Sequence, residues 1–184
     1  DALPICINKK LLDKTEPLTP EEFALIKLHT EYGVSMLEDA GERRAGVLAG
    51  AAQHHERCDG SGYPLGLTRM EISDFGRIIA FLDIYDAMAS DRVFAKRRSP
   101  FEVFAILYDD ILDGKLDTEY GVLFIKHLSH ALNGNWVRLT NGEKGRIVYL
   151  DESRIRSMPV VQTDKGEFYD LNKNREVKVE CILT

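Results

Sequence analysis

Five histidine and aspartate side chains lie on, or at the ends of, helices that the hydrophobic periodicity predicts. They are His29, His54, His55, Asp83 and Asp86. Asp83 and Asp86 are three residues apart, so they share one helix face, and a buried carboxylate must be paired or must bind a metal. Imidazole and carboxylate together suit a divalent transition metal. Two such ions bridged by a carboxylate are the usual device for hydrolysing a phosphate ester.

The histidines taken singly have a simpler interpretation. His29 on an apolar face is more often a hydrogen-bonded core residue than a metal ligand. The adjacent pair His54 and His55, together with the glycine-rich segment that follows it, favours a shared site. His127 and His130 have no acidic neighbour on their helix face, so we interpret them as surface or packing residues.

Capping signals predict the helices that must carry these side chains. A capping box at Thr19 begins a helix that the apolar spacing extends to Gly41, with His29 on its inward face. Four more helices are predicted: one over roughly residues 42–56 that ends on the histidine pair, one capped by Ser73, one that begins at Ser99, and one from Asp117 or Thr118 to about Gly134.

The pattern of the chain changes after Gly134. The last fifty residues alternate with period two, and Asn141-Gly142 and Asp164-Lys165-Gly166 are typical hairpin turns. We therefore predict a mainly α-helical domain over residues 1–134, followed by a small antiparallel β appendage of four or five strands over residues 135–184.

Composition limits the classes of protein. A formal net charge of −6 argues against a general nucleic-acid surface, so no DNA partner is expected. Three scattered cysteines, Cys6, Cys58 and Cys181, suggest neither disulfides nor a zinc knuckle and favour the cytoplasm. No apolar run approaches the ~20 residues of a membrane span.

The segment "HHERCDGSGYPLGL", followed by "RIIAFLDIYDAMASDR", resembles the HD-GYP domain of the HD phosphohydrolases. The resemblance extends from Asp1 to about Leu132. It implies an HD-type helical bundle that binds two or three divalent metal ions, usually iron or manganese. It also implies hydrolysis of the bacterial second messenger cyclic di-GMP to pGpG or GMP, an upstream sensor or receiver domain, and a GGDEF-type protein partner.

The resemblance also implies roles for individual residues. Asp1 would be a bridging carboxylate, Tyr63 would be exposed in the substrate groove, and Arg92 would contact a phosphate. The implied metal ligands are Asp1, His29, His54, His55 and Asp83. The implied substrate-binding residues are Asp59, Gly60, Gly62, Tyr63, Pro64, Arg92 and Lys96. The implied catalytic residues are Asp1, Asp86 and Arg92.

One position departs from the family pattern. The family usually places a lysine three residues after the bridging aspartate, and Pro4 stands at that position here. The histidine of the family's His-Asp pair would precede Asp1. Two alternatives to an active phosphodiesterase therefore stay open: a catalytically weak or inactive domain that binds cyclic di-GMP or a protein, and an HD phosphohydrolase acting on another nucleotide.

Overall fold

The structure, a computed structural model, describes residues 9–90, 98–151, 154 and 156–183. These residues form two compact units. The first contains the described residues up to Asp83 together with residues 113–117, and the second contains the remainder from Ile84 onward. None of the helices among the described residues is both long and apolar enough to cross a membrane.

Helices make up most of the regular structure, and an antiparallel sheet follows them. The helices are α1 (Lys9–Leu12), α2 (Pro20–Lys27), α3 (His29–Asp39), α4 (Ala45–Gln53), α5 (Asp74–Ala89), α6 (Pro100–Leu112) and α7 (Thr118–Leu132). The strands are β1 (Trp136–Leu139), β2 (Lys144–Tyr149), β3 (Val160–Thr163), β4 (Phe168–Asp170) and β5 (Val179–Leu183). The predicted fold class, mainly α with a small antiparallel sheet, is confirmed. The division into two domains at residue 134 stays a prediction.

The helix predicted from Thr19 to Gly41 is in fact two helices. Its start is confirmed, because the Thr19 hydroxyl accepts from the Glu22 amide at 3.2 Å and the Glu22 carboxylate accepts from the Thr19 amide at 2.8 Å. The break falls at Leu28. There the His29 ring and the Thr30 hydroxyl donate to the carbonyls of Ile26 and Lys27, at 2.7 Å and 3.0 Å, and so compete with the helical backbone for its acceptors.

Two glycines let α5 approach α4 closely. A Cβ atom at Gly46 would lie 2.4 Å from the Phe75 ring, and one at Gly50 would lie 2.4 Å from the Ile79 side chain. The predicted cap of α5 is confirmed, because the Ser73 hydroxyl accepts from an amide of its first turn at 3.1 Å. Leu82, farther along α5, is 50% exposed.

The second unit has its own apolar core. Phe104 and Leu107 of α6 and Ile125 of α7 are buried. The sheet has the order β4-β3-β2-β1-β5, and all of its neighbouring strands are antiparallel. Both predicted hairpin turns are present. Gly142 and Gly166 each have a φ of +86°, which residues with a side chain rarely adopt.

A buried ion-pair cluster ties residues 113–117 to the rest of the first unit. The Asp117 side chain is fully buried, and its Oδ2 accepts from Arg69 Nε at 2.8 Å and from Arg77 Nη1 at 2.7 Å. Arg77 also pairs with Asp74. In addition, the Cys58 amide donates to the Lys115 carbonyl at 2.8 Å.

We predict that Asp117→Asn lowers the free energy of unfolding by about 3 kcal/mol, because it leaves two guanidinium groups without their buried counter-charge. Asp113→Asn is the matched control. Asp113 pairs with Lys115 near the surface, with 60% of its side chain exposed, so its loss should cost less than about 1 kcal/mol. Equal losses in chemical denaturation of the two variants would show that the buried cluster is not a major source of stability.

Candidate metal centre

Three histidine rings converge at the junctions of three helical segments in the first unit. His29 is the first residue of α3, His54 directly follows α4, and His55 comes next. The three offer ligand atoms that all lie within 4.8 Å of one another. His29 is 5% exposed, and the other two rings are half-buried. The start of α3 and the end of α4 therefore bring together the three histidines that the sequence analysis singled out.

Hydrogen bonds fix which nitrogen of two rings carries the proton. His29 Nδ1 lies 2.7 Å from the Ile26 carbonyl oxygen, and His54 Nδ1 lies 2.9 Å from the Ala51 carbonyl oxygen. A carbonyl oxygen can only accept, so each Nδ1 donates its proton and each Nε2 of the neutral ring keeps a free lone pair. The two Nε2 atoms face each other at 3.1 Å.

The surroundings of the cluster favour neutral rings. Burial lowers the pKa of His54 below its ordinary value. Burial, together with the charges of His54, His29 and Arg57, lowers the pKa of His55 to about 3. The His54 and His55 rings therefore favour the deprotonated form, which is the form that binds a metal ion.

The histidines meet the requirements of a metal site. Two lone pairs facing each other repel unless a proton or a cation lies between them. Nitrogen ligands ~2.1 Å from one metal ion, at octahedral or tetrahedral angles, lie about 3.0–3.4 Å apart, which matches the observed separation. Metal-bound histidines usually donate their other N–H to a carbonyl or carboxylate, as His29 and His54 do.

The two predicted aspartates have different surroundings. Asp83 Oδ2 lies 3.5 Å from His55 Nδ1, beside the cluster, although Asp83 is not in the group of mutually close ligand atoms. Asp86 belongs to the second unit, is exposed, and accepts a hydrogen bond from the Ser90 hydroxyl at 3.1 Å. The metal role of Asp83 and the catalytic role of Asp86 stay predictions.

The loop after the histidine pair is held by Glu56, a residue to which sequence reasoning gave no role. Its carboxylate is buried and accepts from the amides of Leu65 at 2.7 Å and Leu67 at 2.9 Å. At Gly62 the loop passes so close to Glu56 that a Cβ atom would lie 2.5 Å from its Cα. The sequence did contain a signal for this role, because Glu56 directly follows the histidine pair and precedes the glycine-rich turn.

The tip of the loop is shaped by its own polar residues. The Asp59 carboxylate accepts from the Ser61 amide at 2.9 Å and from the Ser61 hydroxyl at 2.7 Å, and these bonds lower the pKa of Asp59. Gly60 has a φ of +82°, which favours glycine. Asp59 is exposed, so it remains accessible to a ligand, and its substrate-binding role stays a prediction along with those of Gly60, Gly62 and Pro64.

The expectation that Tyr63 is exposed is wrong. Its ring stacks on His55, with the centroids 4.6 Å apart and 28° between the planes, and it meets Phe23 edge-to-face at 5.8 Å. Burial, together with the charge of Asp83, raises the pKa of the phenol to about 12. The aromatic partners come from α2 and from the histidine pair, which the sequence does not show to be neighbours of the loop.

Some predicted residues cannot be placed. Asp1, Pro4, Arg92 and Lys96 lie outside the described residues. His127 and His130, which we interpreted as surface or packing histidines, are exposed on α7.

Comparison with known proteins agrees with the motif. A family profile described as "HD domain" matches residues 5–119, which is more than half of the chain and includes all three clustered histidines. The chain belongs to the HD domain family. The resemblance to the HD-GYP proteins that was drawn from its motif is therefore confirmed.

Three curated relatives of this HD domain protein are phosphodiesterases. A cyclic di-GMP phosphodiesterase of Pseudomonas aeruginosa is 35% identical over 78% of this chain and 34% of its own length. The cyclic di-GMP phosphodiesterase PdeB of Borreliella burgdorferi is 29% identical over 96% and 46%. A 3'3'-cGAMP-specific phosphodiesterase of Vibrio cholerae is 39% identical over 48% and 17%. The chain thus spans less than half the length of each relative.

A cavity in the HD domain lies beside the loop but is not lined by the histidines. This cleft of about 400 Å³ is lined by Thr30, Glu31, Val34, Ser35, Glu38, Ala52, Pro64 and Leu65. The carboxylates of Glu31 and Glu38 make it unfavourable for a phosphate, because like charges repel. The histidine cluster is therefore the better candidate for phosphate chemistry.

We predict that Glu56→Gln releases the loop. An amide side chain offers one acceptor oxygen in place of a carboxylate, so at least one loop amide loses its charge-assisted hydrogen bond. Hydrogen exchange at Leu65 and Leu67, followed by NMR, should become about 10- to 100-fold faster.

Glu71→Gln is the control for this substitution. Glu71 also accepts from a backbone amide, that of Thr68 at 2.9 Å, but it is exposed. Exchange at Leu65 and Leu67 should stay at the wild-type rate. Similar rates in both variants and the wild type would mean that the Glu56 carboxylate does not hold the loop.

Proposed function

We propose that this protein is a metal-dependent phosphodiesterase that hydrolyses cyclic di-GMP to pGpG or GMP. The observation that carries the proposal is the meeting of the His29 and His54 Nε2 lone pairs at 3.1 Å, with both Nδ1 protons already donated to carbonyls. Such an arrangement needs a proton or a cation between the two nitrogens, and their spacing fits two ligands of one metal ion. A divalent ion held by imidazoles is the usual device by which a protein hydrolyses a phosphate ester.

The relatives support the substrate class. Two of the compared relatives are named as cyclic di-GMP phosphodiesterases and the third as specific for 3'3'-cGAMP, so a cyclic dinucleotide is common to all. Because this chain spans less than half of each, the activity is a proposal for this protein. Cyclic di-GMP is the first choice, and 3'3'-cGAMP is the competing substrate to measure beside it.

The residues of the first unit divide the task. His29, His54 and His55 would hold the metal, and Asp83 beside His55 and the predicted bridging Asp1 would add carboxylate ligands. A bound ion would supply Lewis-acid polarisation of the phosphate and lower the pKa of water. Two or three ions, iron or manganese, remain the proposed content.

The loop and the basic residues would bind the substrate. The Glu56 carboxylate presents the loop backbone as a fixed surface beside the histidines. The glycines of the loop, Gly60 and Gly62, would let its backbone approach a phosphate closely. Arg92 is proposed to contact an equatorial phosphate oxygen, because a planar guanidinium suits that geometry. Lys96 would add a second positive charge. An upstream sensor or receiver domain and a GGDEF-type partner are proposed as well.

The deciding experiment measures metal content and turnover in the same sample. We expect purified protein, handled anaerobically and reduced, to contain iron or manganese and to convert cyclic di-GMP to pGpG or GMP. Removal of the metal by a chelator should abolish turnover, and re-addition should restore it. A metal-loaded protein that binds cyclic di-GMP without converting it would instead establish a binding module.

We predict that His54→Ala removes at least one metal ion per chain, because it deletes one of the two facing ligand nitrogens. His127→Ala is the matched control, since that histidine is exposed on α7 and stands outside the cluster. Metal content by elemental analysis should fall only in His54→Ala. Unchanged stoichiometry in that variant would falsify the assignment of the site.

A further inference from the structure

The ammonium group of Lys27 lies over two aromatic rings. Its Nζ is 4.7 Å from the centroid of Phe23 and 5.2 Å from that of Tyr63. Phe23 is four residues earlier in α2, so the two side chains share a face of the helix. Lys27 is the last residue of α2 and stands two residues before His29.

A single aromatic ring separates this ammonium from the metal centre. The Tyr63 ring that Lys27 contacts is the ring that stacks on His55 at 4.6 Å. Phe23 braces Tyr63 edge-to-face at 5.8 Å. The chain therefore places a positive charge beside the histidine cluster through contacts between residues 36 positions apart in sequence.

The charge of Lys27 has no counter-ion in the part of the chain that the structure describes. Lys14, by contrast, lies 2.5 Å from Glu22, and Lys115 lies 2.9 Å from Asp113. The ammonium of the half-buried Lys27 lies over the faces of two aromatic rings, which attract a cation less strongly than an anion does. An anion arriving at the cluster would thus be its better partner.

Arg57, a second cation near the cluster among the described residues, is held by backbone carbonyls. Its Nη1 donates to the carbonyls of His54 at 3.2 Å and Glu56 at 2.8 Å. The Lys27 ammonium lies over ring faces instead, so of these two cations it is the one that is freer to move toward a ligand.

We propose that Lys27 is a substrate-binding residue whose ammonium contacts the phosphodiester that is cleaved at the histidine cluster. This inference rests on the proposed function, which it makes more specific. Tyr63 then has two tasks, to support the His55 ring and to guide the ammonium toward the phosphate. A flexible lysine suits this movement, because its compact charge can leave the aromatic face for the ligand without rearranging the helix.

The test compares three variants of the metal-loaded protein: Lys27→Met, Lys27→Arg and Lys126→Met. Lys27→Met keeps an unbranched apolar stem and deletes the charge, while Lys126→Met deletes an exposed lysine on α7 and controls for net charge. Lys27→Met should weaken cyclic di-GMP binding, measured by titration calorimetry, about 10- to 100-fold. Lys27→Arg should retain affinity within about fivefold, and Lys126→Met should match the wild type.

Two further measurements separate charge from packing. Metal content should be equal in all four proteins, and the dissociation constant should rise with added salt more steeply in the wild type than in Lys27→Met, because only the wild type has this ion pair to screen. Equal affinity and equal salt dependence in the two would overturn the inference. An equal loss of affinity in Lys27→Arg and Lys27→Met would also overturn the inference, because the positive charge that arginine keeps would then not be what binds the ligand.

A general phosphodiester makes the inference independent of the nucleotide. Bis(p-nitrophenyl) phosphate and 3'3'-cGAMP are assayed beside cyclic di-GMP. Turnover of the general diester alone would reject cyclic di-GMP as substrate, yet a KM raised about tenfold by Lys27→Met would still support the role of Lys27. A metal-loaded wild type that neither binds nor cleaves any of the three would overturn both proposals.

Discussion

The site depends on one hydrogen bond, from His29 Nδ1 to the Ile26 carbonyl. This bond competes with the helical backbone at the place where the chain leaves α2, so it separates α2 from α3. It also fixes the proton on Nδ1 and directs the Nε2 lone pair toward His54, whose own Nδ1 donates to Ala51. A break in the helix and the preparation of a ligand therefore have the same cause.

Close packing of two helices brings the carboxylate to this centre. Phe75 and Ile79 of α5 occupy the space that side chains at Gly46 and Gly50 of α4 would need. The Asp83 carboxylate then lies 3.5 Å from His55. A buried polar cluster of this kind is costly unless it is satisfied, and here each histidine has a carbonyl, a carboxylate or an aromatic face beside it.

The loop adds a rigid wall to one side of the cluster. The Glu56 carboxylate accepts hydrogen bonds from two backbone amides of the loop, and Gly62 lets the loop pack against the Glu56 backbone. Tyr63 is consequently packed between the cluster and α2 and is no longer free to move in solvent. Because this surface is already ordered, ligand binding does not have to offset the entropy cost of ordering the loop.

The sequence by itself determined several helix starts, the hairpin turns and the family. The capping box at Thr19, the cap at Ser73 and the glycine turns at Gly142 and Gly166 are local signals, because each depends on residues within one turn of chain. The histidine pair with its Gly-Tyr-Pro loop was equally local, and it identified the HD-GYP resemblance. These features did not require knowledge of which helices pack together.

Only the tertiary structure decided how these parts meet. Periodicity tells which face of a helix is apolar, but it does not tell which residues of distant elements touch. The contact of Lys27 with Tyr63 and the burial of Glu56 against Leu65 and Leu67 both depend on such meetings. The approach of His29 Nε2 to His54 Nε2 at 3.1 Å was undetermined for the same reason, since these two residues come from different helices.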